Sequence, residues 1–103
     1  MAQENLPSDK LASVATVNLY RNLQKNLGKG VLLGHQDDLA YGLGWWGDQN
    51  RSNLNDVIGD YPAVYGWELG GLEMDAEHNL DNVSFEKMRE YIQQSYQRGS
   101  VIT

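Results

Sequence analysis

The sequence of 103 residues contains no cysteine and only two prolines, and its eight basic residues are outnumbered by fourteen acidic ones. The absence of cysteine excludes a disulfide framework and a thiolate metal cluster. The net charge of −6 would repel a nucleic acid backbone, so a nucleic acid partner is not expected. No apolar run approaches the roughly 20 residues of a membrane span, and the N-terminal residues are too polar for a signal-peptide core. Localisation is therefore left open.

Apolar and aromatic residues are plentiful, since 41% of the sequence is hydrophobic and it includes three Trp and six Tyr. This balance is typical of a chain that buries a core. We predict a polar tail over residues 1–9 and a folded domain over residues 10–103. Leu19, Leu23 and Leu27 recur every four residues before Gly28, which predicts a first amphipathic helix of about three turns.

Two further helices are predicted from their capping residues. Ser52 and Gly59 bracket a short helix over residues 53–58, and Ser84 begins a longer helix that ends at Gly99. The residues expected to share the buried face of the longer helix are Phe85, Met88, Ile92 and Tyr96.

Short apolar runs over residues 31–33, 63–67 and 100–103 predict three buried strands. Residues 35–53 between the first two strands have no clear period and predict a long functional loop. Strands that alternate with helices indicate an α/β fold with parallel pairing. Because the third strand is the last predicted element, we expect the chain to be the first part of a larger domain. Its open edge would then be covered by the missing part or by a second copy of the chain.

Chemically versatile side chains follow the first two predicted strands. Because parallel strands direct their carboxyl ends to one face, these side chains should meet at a common rim. Aromatic faces beside hydrogen-bonding groups suit a sugar ring. The residues concerned are His35, Gln36, Asp37, Asp38, Tyr41, Trp45 and Trp46 after the first strand, and Trp67 and Glu68 after the second.

Each of these residues also has a purely structural interpretation. The histidine could be a satisfied structural residue, the two aspartates could cap a turn, and the tryptophans could be buried. A metal site formed by His35, Asp37 and Asp38 is a further hypothesis. The second loop contains an acidic stretch that we interpret as solvated, with Glu73, Asp75, Glu77 and Asp81. Calcium binding is the less favoured interpretation, because EF-hand spacing is absent. P-loop, GxGxxG, GxSxG and HExxH motifs are also absent.

Two long motifs resemble a known family. Residues 30–42, GVLLGHQDDLAYG, followed by Trp45, are similar to the first strand and loop of glycoside hydrolase family 26, chiefly its bacterial β-mannanases. Residues 60–70, DYPAVYGWELG, resemble the second strand of that family, and residues 99–103 resemble the start of its third strand. The resemblance covers roughly residues 14–103 of the chain.

The resemblance implies the first part of a (β/α)8 TIM barrel, with about two β/α units and the start of a third strand. It implies a retaining endo-β-1,4-mannanase whose catalytic glutamates follow the fourth and seventh strands, so no catalytic residue is expected in this chain. In particular, Glu68 and Glu73 are not candidates. The chain alone is expected to be inactive, and an exported parent enzyme is expected.

The resemblance also implies a substrate-binding role and no cofactor or metal. The ligand would be a β-mannan or a manno-oligosaccharide, bound by His35, Trp45, Trp46, Trp67 and Glu68. The alternative hypothesis is a non-catalytic carbohydrate-binding α/β protein that uses the same aromatic and acidic rim.

Overall fold

The structure, a computed structural model, describes residues 6–103 and divides into two compact units at Val31 and Leu32. The predicted polar tail over residues 1–9 therefore lies partly outside the described residues. In the first unit, helix α1 spans Val14–Asn26. Its N-cap is Ser13, whose Oγ accepts a hydrogen bond from the Thr16 amide at 3.2 Å. Helix α1 confirms the first predicted helix.

The second unit is an α/β arrangement that contains all the candidate site residues. Its elements in chain order are β1 (Gly34–Gln36), β2 (Tyr41–Gly42), β3 (Trp45–Trp46), α2 (Asn53–Ile58), β4 (Val64–Gly66), a 3-10 helix (Leu72–Met74), α3 (Phe85–Gln97) and β5 (Val101–Ile102). Strands β1, β4 and β5 form a parallel sheet with β4 in the centre. The predicted α/β class with parallel strands is confirmed.

The register of the sheet changes the position of the first strand. His35 pairs with Tyr65, which pairs in turn with Ile102. The prediction of a strand over residues 31–33 is wrong, because the ladder of β1 begins at Gly34. The carbonyl of Leu33 does accept hydrogen bonds from β4 and the residue before it, so the apolar run leads into the strand without forming it. His35 thus lies within β1 and not after it.

The predicted loop over residues 35–53 contains a small hairpin that sequence periodicity missed. Strands β2 and β3 pair antiparallel, with Tyr41 opposite Trp46 and Gly42 opposite Trp45. Gly44 lies in the turn with a φ of 79°, a left-handed conformation that favours glycine. Strands of two residues are too short to produce a recognisable alternation.

Both predicted N-caps in the second unit are confirmed. Ser52 Oγ accepts from the Asn55 amide at 3.0 Å, and Ser84 Oγ accepts from the Lys87 amide at 3.3 Å. The predicted face of α3 needs one correction, because Tyr96 is 71% exposed. Tyr91, which lies one position before Ile92, packs against the core in its place. The buried stripe follows spacings of three and four residues from Met88 and excludes Tyr96.

The core of the second unit lies where the turn after β1, the end of β4 and helix α3 meet. Its buried hydrophobic residues are Leu39, Ala40, Tyr65, Trp67, Val83 and Met88. Within residues 6–103, no helix has the length and apolar character needed to cross a membrane.

Candidate carbohydrate site

The turn that follows β1 forms the base of the site. The Asp37 amide donates a hydrogen bond to the Gly66 carbonyl at 2.9 Å, and the Ala40 amide donates to the Asp37 carbonyl at 2.9 Å. Asp37 has a φ of 53°, a left-handed conformation that Asp tolerates better than most residues. These bonds fix Asp37 and Asp38 at the carboxyl ends of β1 and β4, with both side chains fully buried.

His35 presents its imidazole beside this turn. Its Nδ1 lies 2.7 Å from Oδ1 of Asp38, and its side chain is 45% exposed. The ring is therefore anchored on one nitrogen while part of its surface remains accessible to a ligand.

Trp46 and Tyr41 form a stacked aromatic pair on the hairpin, in which Trp46 is exposed and Tyr41 is half-buried. The two rings stack with centroids 4.9 Å apart and an interplanar angle of 6°. The Tyr41 hydroxyl donates a hydrogen bond to Oδ2 of Asp37 at 2.9 Å, and Trp46 remains 55% exposed. A flat, accessible indole supported from one side is a suitable surface for the C–H face of a sugar.

Trp45 points away from that surface because consecutive strand residues face opposite sides. It is 8% exposed, and its indole Nε1 donates to Oδ1 of Asn53 at 2.9 Å. The guanidinium of Arg51 lies 5.3 Å from the centroid of the Trp45 ring and pairs with Asp48 and Asp56. Trp45 thus joins the hairpin to the start of α2.

Trp67 and Glu68 extend the site beyond β4. Trp67 is 8% exposed and stacks on Tyr91 of α3, with centroids 5.7 Å apart. Oε1 of Glu68 accepts from the Gly70 amide at 2.6 Å, and the Glu68 carbonyl accepts from Asn79 Nδ2 at 3.0 Å. Trp67 therefore packs in the core between the end of β4 and α3, and Glu68 holds the loop that follows β4.

The parallel register brings the predicted residues to one end of the sheet. Gln36 pairs with Gly66, so the turn after β1 lies beside Trp67 at the carboxyl ends of the two strands. Of the five predicted binding residues, His35 and Trp46 are the exposed ones, whereas Trp45 and Trp67 are buried and Glu68 is half-buried.

The electrostatics of the turn centre on Asp37. Burial raises the pKa of Asp37 to about 6, and the side chains of Asp81 and Glu68 add to the increase, while the hydrogen bond from Tyr41 opposes it. Burial also raises the pKa of Tyr41 to about 12, and the neighbouring Asp37 contributes. The Tyr41 hydroxyl therefore keeps its proton and acts as a donor at neutral pH.

The metal hypotheses gain no support from this geometry. Among residues 6–103, no group of three or more His, Asp or Glu side chains is arranged to hold a metal ion. His35, Asp37 and Asp38 do not converge on one point, because Asp38 is bonded to the imidazole and Asp37 to Tyr41.

Sequence reasoning missed several supporting residues. Asn53 accepts hydrogen bonds from Trp45 Nε1 and from the Leu43 amide, and Asn79 Oδ1 accepts from the amides of Asp81 and Val83. The spacing of Asn79 to the two amides is that of a side-chain-stabilised turn, a signal present in the sequence. The partnership of Asn53 with the hairpin depends on tertiary contacts and has no local signal.

The fold and the site together define an α/β chain with a sugar-compatible rim at the carboxyl ends of its parallel strands. No family model matches the sequence. Among solved structures, the chain is similar to BoMan26A, a GH26 beta-mannanase from Bacteroides ovatus, with 48% sequence identity and a TM-score of 0.85. The match covers 88% of this chain and 26% of the mannanase chain. The resemblance to glycoside hydrolase family 26 is thereby confirmed, and the chain is mannanase-related.

Proposed function

We propose that this chain is part of a retaining endo-β-1,4-mannanase, to which it contributes substrate-binding residues and not the catalytic glutamates. The observation that carries the proposal is the 48% identity to a GH26 beta-mannanase over 88% of this chain. An exposed imidazole and an exposed indole at the ligand-binding end of the sheet support it. The chain spans about a quarter of the length of that mannanase.

Each binding residue has a distinct role in this proposal. His35 hydrogen-bonds a sugar hydroxyl through the ring nitrogen that Asp38 leaves available, and Trp46 stacks on the face of a pyranose. Trp45 and Trp67 act from behind the surface, where their packing holds the hairpin and the end of β4 in place. Glu68 shapes the rim through its bond to the Gly70 amide.

The proposal assigns no acid, base or nucleophile to this chain. A retaining glycosidase uses two carboxyl groups about 5 to 5.5 Å apart, both facing the scissile bond. Asp37 has a raised pKa, but it is fully buried and bonded to Tyr41, so it cannot reach a glycosidic oxygen. The chain would orient the substrate for catalytic groups located elsewhere.

Calorimetric titration of the 103-residue chain with mannohexaose, with cellohexaose as the control sugar, tests the binding role. We expect preferential binding of the manno-oligosaccharide, weakened about tenfold in His35→Ala and in Trp46→Ala. A reducing-sugar assay on galactomannan should show no turnover by the same sample. Equal binding of both sugars, no binding of either, or measurable turnover would overturn the proposal.

A further inference from the structure

Two consecutive buried carboxylates each contact one ring of the candidate site. Asp37 accepts from the Tyr41 hydroxyl, and Asp38 contacts His35 Nδ1. Both aspartates have no exposed surface, whereas the His35 side chain that Asp38 contacts is 45% exposed. Burying a carboxylate costs free energy unless it is hydrogen-bonded or paired, so the contacts that these two aspartates make with His35 and Tyr41 are expected to offset that cost.

We propose that Asp38 is a positioning residue that fixes both the orientation and the tautomer of the His35 ring. An ionised carboxylate can only accept hydrogen bonds, so Nδ1 of His35 must carry the hydrogen in the 2.7 Å contact. The neutral ring then has its lone pair on Nε2. Nε2 consequently accepts a hydrogen bond and selects a ligand group that donates one, such as a sugar hydroxyl.

The surroundings of Asp38 make it a firm anchor. Its backbone belongs to the turn that the Asp37 amide ties to the Gly66 carbonyl of β4. Within residues 6–103, its second oxygen, Oδ2, is buried and makes no hydrogen bond, so the contact with His35 is the hydrogen bond that its carboxylate makes. Short contacts between an imidazole and a carboxylate are stronger than neutral hydrogen bonds, which restricts rotation of the ring.

This assignment extends the proposed function, because it specifies the direction of the hydrogen bond between His35 and the sugar. It also differs from a purely structural role for Asp38. A residue that only completes the turn would affect stability but would leave the proton of the His35 ring where it is. The tautomer of His35 therefore separates the two interpretations.

Nitrogen NMR of the imidazole is the direct test. Long-range proton–nitrogen spectra of the 15N-labelled chain, recorded at a pH where the spectra themselves show a neutral ring, report which nitrogen is protonated. We expect the hydrogen on Nδ1 in the unmodified chain and a shift toward the Nε2-protonated form in Asp38→Ala. Asp75→Asn, which removes an exposed negative charge at a left-handed position that Asn tolerates, should leave the His35 signals unchanged.

The spectrum of the unmodified chain can by itself contradict the assignment, so the test does not depend on the variants being folded. An Nε2-protonated His35 in that chain would contradict it. An unchanged tautomer in Asp38→Ala, with the amide spectrum of a folded chain, would contradict it as well. Asp38→Asn provides a second variant, because its amide oxygen can still accept from Nδ1 and should retain much of the native tautomer.

A double-mutant cycle on sugar binding separates this inference from the function on which it rests. Asp38→Ala should weaken mannohexaose binding about tenfold in the unmodified background and have no further effect in His35→Ala. Additive effects of the two substitutions would show that Asp38 does not act through His35. If the unmodified chain binds no mannohexaose, the proposed function fails, while the NMR result still decides the role of Asp38.

Discussion

Tyr41 donates a hydrogen bond from its hydroxyl to Oδ2 of Asp37, and the two atoms lie 2.9 Å apart. This bond favours the charged form of Asp37, yet burial and the nearby carboxylates of Asp81 and Glu68 outweigh it and raise the pKa to about 6. The same bond holds the ring on which Trp46 stacks. The protonation of one buried carboxyl is thereby linked to the exposed aromatic surface.

The raised pKa of Asp37 predicts a pH-dependent contribution to stability. Between about pH 4, the ordinary range of an aspartate, and pH 6, the folded state binds more protons at Asp37 than the unfolded state does. The contribution of Asp37 is thus fully present below about pH 4 and is lost as the pH rises through 6. Asp37→Asn should reduce this loss, since an amide does not ionise.

Urea unfolding of the unmodified chain and of Asp37→Asn at several pH values from 4 to 7 measures this effect. The difference in free energy of unfolding between the two proteins should change in favour of the variant as the pH rises. Asp75→Asn is a control in which an exposed carboxylate is removed. A constant difference between Asp37→Asn and the unmodified chain across this range would contradict the prediction.

The two adjacent tryptophans should respond differently to truncation. Trp46→Ala removes an exposed ring and should reduce mannohexaose binding about tenfold while lowering stability by about 1 kcal/mol through the lost stacking. Trp45→Ala removes a buried ring and should lower stability by about 3 to 5 kcal/mol. Calorimetric binding and urea unfolding of both variants provide the comparison. A larger stability loss in Trp46→Ala than in Trp45→Ala would mean that the assigned faces are reversed.

Asn53 should be a structural link between the hairpin and α2. Its Oδ1 accepts from Trp45 Nε1 at 2.9 Å and from the Leu43 amide at 3.1 Å. Asn53→Ala leaves both donors without this acceptor and should cost about 1 to 3 kcal/mol. Asn53→Asp keeps an acceptor oxygen and should lose much less. The midpoints of urea unfolding, followed by tryptophan fluorescence, measure the two losses of stability. Equal destabilisation of the two variants would contradict the role assigned to the Asn53 side-chain oxygen.

The face that α3 buries can be tested with two truncations on the same helix. Met88→Ala should cost about 2 to 5 kcal/mol because Met88 is a buried core residue. Tyr96→Ala should stay within about 0.5 kcal/mol of the unmodified chain because its ring is 71% exposed. Thermal unfolding of both variants measures the difference in stability. A large loss of stability in Tyr96→Ala would contradict the buried face seen in the structure and support the one predicted from the sequence.

Features that depend on neighbouring residues could be predicted from the sequence. Ser52 and Gly59 bracket α2 as expected, because a hydroxyl that accepts from an amide three residues later and a left-handed glycine are local devices. Ser84 begins α3 for the same reason. The parallel class of the sheet followed from the alternation of short apolar runs with helices.

Features that depend on distant residues could not be predicted. The start of β1 at Gly34 is determined by the hydrogen-bond ladder with β4, and a hydrophobic run cannot reveal that register. The two-residue strands of the hairpin are defined by their pairing and not by alternation. Tyr91 takes the place predicted for Tyr96 because α3 packs the face that carries Met88, Tyr91 and Ile92 against the core.

The sequence by itself determined the helix ends, the α/β class and the choice of His35 and its neighbours as candidates. Helix ends depend on hydrogen bonds between residues close in sequence, and the chemical type of a candidate side chain is given by its residue alone. Only the tertiary structure decided which of those candidates are accessible. Trp45 is buried and Trp46 is exposed because the hairpin packs one of its faces against α2. The contact between His35 and Asp38 likewise appears only in the folded chain, where the Asp38 carboxylate is buried and the imidazole remains 45% exposed.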